Sequence, residues 1–135
     1  MFVIDASVVL AWCFGDESSV DADRALARLE NEEAVAPAHW PLEVANAIRT
    51  AERRGRIDPS ELPRLRSLLA TLPVEVAPVD LAAATGGVLE AARIHDLTAY
   101  HAAYLHLAAV RGLPLATIDD RLRTACARAG VAMVI

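Results

Sequence analysis

Three acidic residues from distant parts of the chain, Asp5, Glu43 and Asp119, each stand where a short apolar run gives way to a helical pattern. Asp5 closes the run 2–5 (FVID), Asp119 follows the run 115–118 (LATI), and Glu43 falls in the first turn of the helix after 34–36 (AVA). Two carboxylates roughly 4 Å apart repel by about 4 kcal/mol at an effective dielectric near 20. A fold that gathers three must supply shared protons, an arginine or a divalent cation. Oxygen-only donors suit Mg²⁺ or Mn²⁺, which can hold a phosphate and lower the pKa of a bound water. Each acid also has a purely structural reading. Asp5 can cap a helix over 6–13, Glu43 can favour its helix dipole behind a cap at His39 or Trp40, and Asp119 or Asp120 can cap the last helix. A common location is what would turn three structural acids into a site.

The elements that must position these acids follow from periodicity and punctuation. Strands are expected at 2–5, 34–36, 74–76, 115–118 and 131–135. Between them, helical spacing and caps predict helices over 6–13, from Ser18/Ser19 to Asn31, from Pro41 to Arg54, and from Asp58-Pro59 to Leu72. Further helices are expected over 80–94, from Thr98 to Arg111, and from Asp119-Asp120 to Arg128. Short apolar strands alternating with longer helices indicate an α/β domain: a small, mostly parallel sheet of four to five strands with helices on both faces. Right-handed crossovers put the carboxyl ends of such strands on one edge, where open α/β sheets bind their ligands. Asp5, Asp119 and Glu43 all belong to that edge.

Composition narrows the class. With 135 residues the chain is one domain, 1–135. Hydrophobic residues reach 55% but aromatics only 4%, so the core must be packed from Ala, Val, Leu and Ile. No apolar run is long enough to span a bilayer, and the start Met-Phe-Val-Ile-Asp lacks a basic region, so no signal peptide is expected. Cys13 and Cys126 read as buried small hydrophobes, consistent with a cytoplasmic location. A net charge of −5 argues against a general nucleic-acid binder, yet all 13 basic residues are Arg, the side chain that pairs with phosphate in bidentate fashion.

Three stretches resemble a known family. FVIDASVVLAW, APAHWPLEVANAIRTAERRGRI and LTAYHAAYLHLAAVRGLPLATIDDRL are similar to the successive motifs of PIN-domain proteins, in particular VapC-type toxins of toxin–antitoxin systems. The resemblance covers essentially the whole chain. It implies a PIN-like fold and a Mg²⁺- or Mn²⁺-dependent endoribonuclease that cleaves structured RNA of the tRNA or rRNA class. It further implies a homodimer silenced by a VapB-like antitoxin. Carried over by position, Asp5, Glu43 and Asp119 become metal ligands, Ser7 orients Asp5, and Asn46 lies beside Glu43.

One departure falls in the site. Where the family's third motif has Tyr-Asp-Ala, this chain has Tyr100-His101-Ala102. His101 can act as a neutral ligand or water-positioning base, which would move metal preference from Mg²⁺ toward Mn²⁺. Alternatively Asp96 or Asp120 supplies the missing carboxylate, or the protein is a catalytically impaired module that binds RNA or an antitoxin. A signalling receiver also clusters acids at a strand edge, but it needs a Lys that this chain lacks. Around the site, Glu43, Ala47, Thr50 and Arg54 share one helical face. Arg54, with Arg53 and Arg56, is a candidate phosphate contact, as are Arg121 and Arg123; the alternative for the first group is neutralising a helix C-terminus.

Overall fold

The computed structural model describes residues 1–15 and 19–134. Four strands, β1 (Phe2–Ile4), β2 (Ala34–Pro37), β3 (Val74–Ala77) and β4 (Leu115–Ala116), pair in the order β3-β2-β1-β4, every pair parallel. β1 is central, with Val3 opposite both Val35 and Leu115. Side chains alternate across the sheet. Phe2, Ile4, Ala34, Ala36 and Ala116 point into one core, while Val3, Val35 and Leu115 point into another. A sheet covered on both faces needs apolar residues at consecutive positions, which is why FVI and AVA carry no polar alternation.

The first core is closed by α1 (Ala6–Cys13), α2 (Val20–Arg28), α3 (Trp40–Arg53) and α4 (Leu62–Ala70), which contribute Val8, Val9, Ala25, Val44 and Leu65. α5 (Leu81–Ala83), a π-helical segment Ala84–Val88 and α6 (Leu89–His95) lead to α7 (Ala99–Arg111), and α8 (Asp120–Ala129) ends the series. α7 and α8 cover the opposite face through Tyr104, Leu105, Leu122 and Cys126. Alanine at many buried helix positions lets these helices approach the sheet closely, so a domain almost without aromatics is still filled.

Caps set the boundaries. Asp5, Ser19, Asp80, Thr98 and Asp119 each accept a backbone N–H from the first turn of a helix, and Gly112 and Gly130 take positive φ at helix ends. Ser18, one of the two expected starts of the second helix, lies outside the described residues, as do Asp16 and Glu17 before it. Asp58 caps a 3₁₀ turn (Pro59–Glu61) ahead of α4 rather than α4 itself.

Three expectations are corrected. The fifth strand at 131–135 reduces, within its described part, to one bridge between Leu115 and Met133, because the two-residue β4 offers so short an edge. The run 115–118 leaves the ladder after Ala116, since the Ile118 N–H donates to Ser7 Oγ (3.1 Å) and the Asp119 N–H to Thr117 Oγ1 (3.0 Å). The helix over 80–94 is broken at Gly86 (φ −99°, ψ −105°). Beside that break Gly87 abuts α7: a Cβ added there would sit 2.2 Å from His106 Cε1. No described helix is long and apolar enough to cross a membrane.

Candidate active site

The site forms at the carboxyl edge of β1 and β4. Asp5 leaves β1, caps α1 through the Val8 N–H (3.3 Å) and is only 3% exposed. Its Oδ1 also accepts the Ser7 hydroxyl at 2.6 Å, and its Oδ2 accepts the Thr117 hydroxyl. A carboxylate has about four acceptor positions, so Asp5 retains one on Oδ2. Burial pushes its carboxyl up to about 6, against the opposing hydrogen bonds from Ser7, Thr117 and the Val8 N–H and the nearby His101. This is a desolvated acid short of countercharge.

Thr117 joins two of the acids. Fully buried, it donates to Asp5 and accepts the Asp119 N–H, fixing where Asp119 begins α8. Asp119 then caps that helix through the Leu122 N–H at 2.9 Å. The structural and chemical readings of Asp5 and Asp119 are therefore compatible, because capping occupies only part of each carboxylate.

Glu43 approaches from the first turns of α3. Its Oε1 accepts the phenol of buried Tyr104 at 2.9 Å and lies 2.7 Å from His39 Nε2, a contact outside good hydrogen-bond alignment. Desolvation raises the Glu43 carboxyl, but His39, Tyr104 and the nearby His101 outweigh it, leaving it below the usual range. The Tyr104 hydroxyl is pushed upward by burial and by Glu43, so it stays a proton donor.

His101 is common to all three acids. Its backbone N–H is bound by the Thr98 cap (3.2 Å), its Nδ1 lies 4.0 Å from Asp119 Oδ1, and it is near enough to lower both Asp5 and Glu43 electrostatically. Among the described residues no three acidic, His or Cys side chains already converge as a metal-binding cluster. Mg²⁺ is commonly held by one or two carboxylates and several waters, however, and the remaining Oδ2 position of buried Asp5 fits that mode of binding.

The other sequence candidates are spread around this centre. Asn46 lies one turn beyond Glu43 and lines the same cleft. Asp120 is the exposed first residue of α8, and Asp96 is exposed in left-handed conformation after α6; neither is bonded to the central acids by any described contact. Arg53 and Arg54 are exposed at the far end of α3, with Arg54 about 16 Å along the axis from Glu43. Arg121 is exposed two residues past Asp119, whereas Arg56 covers the Phe14 ring at 5.2 Å. Arg123 is not available for phosphate as expected. It donates to the Thr117 carbonyl and to Asp21 Oδ2, both at 3.0 Å, and so braces the end of β4 against α2. Cys126 is an inert buried thiol, pushed up to about 11 by burial.

Sequence reasoning missed Thr117, His39 and the role of Tyr104. Thr117 was marked as the one polar residue in an apolar run, and His39 stands four residues before Glu43, the spacing at which helical side chains meet. Tyr104 carried no comparable signal, since its bond to Glu43 spans 61 positions.

Comparison with known proteins agrees with this architecture. No curated protein matches the chain. Seven chains of solved structures do. One is the crystal structure of PAE2754 from Pyrobaculum aerophilum, 26% identical with a TM-score of 0.69, the alignment covering 98% of this chain and 83% of that one. The PIN domain matches residues 2–127, and the chain belongs to the PIN-domain family, whose members are typically metal-dependent nucleases.

Proposed function

We propose that the chain is a metal-dependent endoribonuclease of the VapC type, using Mg²⁺ or Mn²⁺. In this reading it is a cytoplasmic homodimer, cleaves RNA of the tRNA or rRNA class, and is silenced by a VapB-like antitoxin. The observation that carries the catalytic part is the arrangement of Asp5, Glu43 and Asp119 about His101 at one edge of the sheet. The toxin, antitoxin and dimer assignments are supported by the motif resemblance along the whole chain. When bound, a divalent cation supplies charge to the phosphate oxygens and acidifies a water. Asp5, Glu43 and Asp119 would hold it. Ser7 and Thr117 fix the rotamer of Asp5, while Tyr104 fixes that of Glu43, so the donors are oriented before substrate arrives. Arg53, Arg54 and Arg121 would meet RNA phosphates beyond the scissile one.

Cleavage of a folded RNA by the purified protein, titrated with Mg²⁺ and with Mn²⁺, tests the reading. Asp5→Ala should lower the rate by about 100-fold or more; cleavage that survives this change would assign the activity elsewhere. His101 favours a second reading, an impaired binding module, because an imidazole stands beside Asp119 where the family has an acid. Under the first reading the natural protein cleaves with Mn²⁺ at least as well as with Mg²⁺, and His101→Asp restores preference for Mg²⁺. Cleavage by His101→Asp alone would establish the second.

A further inference from the structure

The acidic centre opens on one side into a cleft of about 510 Å³ between the start of α3 and the start of α7. Glu43 and His101 form its inner wall. Its outer walls are of different chemistry. Tyr100 is 64% exposed and Leu42 73% exposed, although both side chains are large and mostly apolar. Tyr100 is also the outermost member of an aromatic series. Its ring lies 5.5 Å from that of His39, which lies 5.1 Å, edge-on, from buried Tyr104, the residue bonded to Glu43. The exposed ring is thus buttressed through the same side chains that orient an acid of the site. Asn46, one turn from Leu42, and Thr98 add amide and hydroxyl groups that can both donate and accept.

We propose that this cleft is a nucleobase subsite: Tyr100 and Leu42 take one unpaired base between them, with Asn46 at its edge, next to the scissile phosphate. The inference rests on the ribonuclease reading and adds to it the side chains that would seat a base beside the scissile phosphate. A base in a duplex has neither face free for Tyr100 nor its pairing edge free for Asn46. Stacking on an aromatic side chain is tolerant of base identity and is available to every unpaired nucleotide. The cleft is large enough for one base and adjoins Glu43, so a base seated there fixes which phosphate reaches the acids. A protein segment docking on the same two exposed groups is the competing use of this surface.

Binding can be read without cleavage. A fluorescein-labelled oligoribonucleotide of mixed sequence, single-stranded or annealed to its complement, is titrated with the purified full chain in EDTA and followed by anisotropy. The single strand should bind more tightly than the duplex. Tyr100→Ala should weaken single-strand binding by about tenfold or more with little effect on the duplex, and Tyr100→Phe should restore it. Equal affinities for the two RNAs, or a Tyr100→Ala variant that binds the single strand like the parent, would overturn the subsite. So would intact RNA binding combined with an altered sedimentation state in Tyr100→Ala, which would give the surface to protein docking. A separate assay with Mn²⁺ separates this failure from that of the enzyme reading. RNA cleavage at unchanged kcat/KM by Tyr100→Ala sinks the subsite alone. Tyr100-dependent single-strand binding without any cleavage, even by His101→Asp, leaves the subsite standing and removes the nuclease.

Discussion

Asp5 concentrates the chemistry of this molecule because it is buried before any countercharge is supplied. Its carboxyl is held up at about 6 chiefly by desolvation, above the usual unfolded value near 4. The folded state therefore binds this proton more tightly than the unfolded state. The stabilisation is present in full below the unfolded pKa and is lost as pH rises through about 6. A shift of roughly two units corresponds to about 3 kcal/mol at neutral pH. In EDTA, Asp5→Asn should consequently be more stable than the parent at about pH 7.5, by up to that amount, with the advantage fading toward about pH 4. Mn²⁺ should then raise the melting temperature of the parent and leave the variant unchanged. Urea midpoints at the two pH values give the answer, and an advantage independent of pH would mean that burial does not perturb this acid.

At the scale of elements, the helix starts were legible because a capping side chain is a local device: Asp5, Ser19, Thr98 and Asp119 each bind a backbone N–H within three residues. Strand ends were less legible because they depend on partners elsewhere. The apolar tail beyond Gly130 has the composition of a strand, but its pairing is limited by a β4 only two residues long. The same distinction divides the site. Asp5 and Asp119 announce themselves at strand ends, whereas the bonds that orient them, Thr117 to Asp5 and Tyr104 to Glu43, close only in three dimensions. The Gly86-Gly87 pair is a local signal for the break, but nothing local reveals that α7 will press on Gly87. Gly87→Ala places a methyl against the His106 ring, and displacing that ring should cost about 1–3 kcal/mol. His106→Ala removes the obstacle, so the double variant should be destabilised by less than the sum of the single ones. Chemical unfolding of the three proteins measures this, and strict additivity would mean that the contact is not the constraint.

The molecule as a whole pairs apolar cores on both faces of its sheet with an acidic net charge, and that charge of −5 bears on how an RNA would be held. A basic protein gathers RNA by a long-range field and loses affinity steeply with salt. Here general attraction is opposed, so affinity must come from the few cations that reach phosphate and from contacts insensitive to salt, such as stacking. Arg123 is committed to Thr117 and Asp21, and Arg28 and Arg49 are paired with Glu32 and Glu52. Arg121 is exposed beside the site at the start of α8, and Arg53 and Arg54 are exposed farther off, at the end of α3 remote from Glu43. If all three contact phosphates, the logarithm of the single-strand binding constant should fall against that of salt concentration with a slope of about −2. Replacing the three by Ala should bring the slope close to zero. The Tyr100-dependent part of the affinity should persist, because stacking releases no counterions. An unchanged slope in the triple variant would show that these arginines only solvate the surface and that phosphate is met elsewhere.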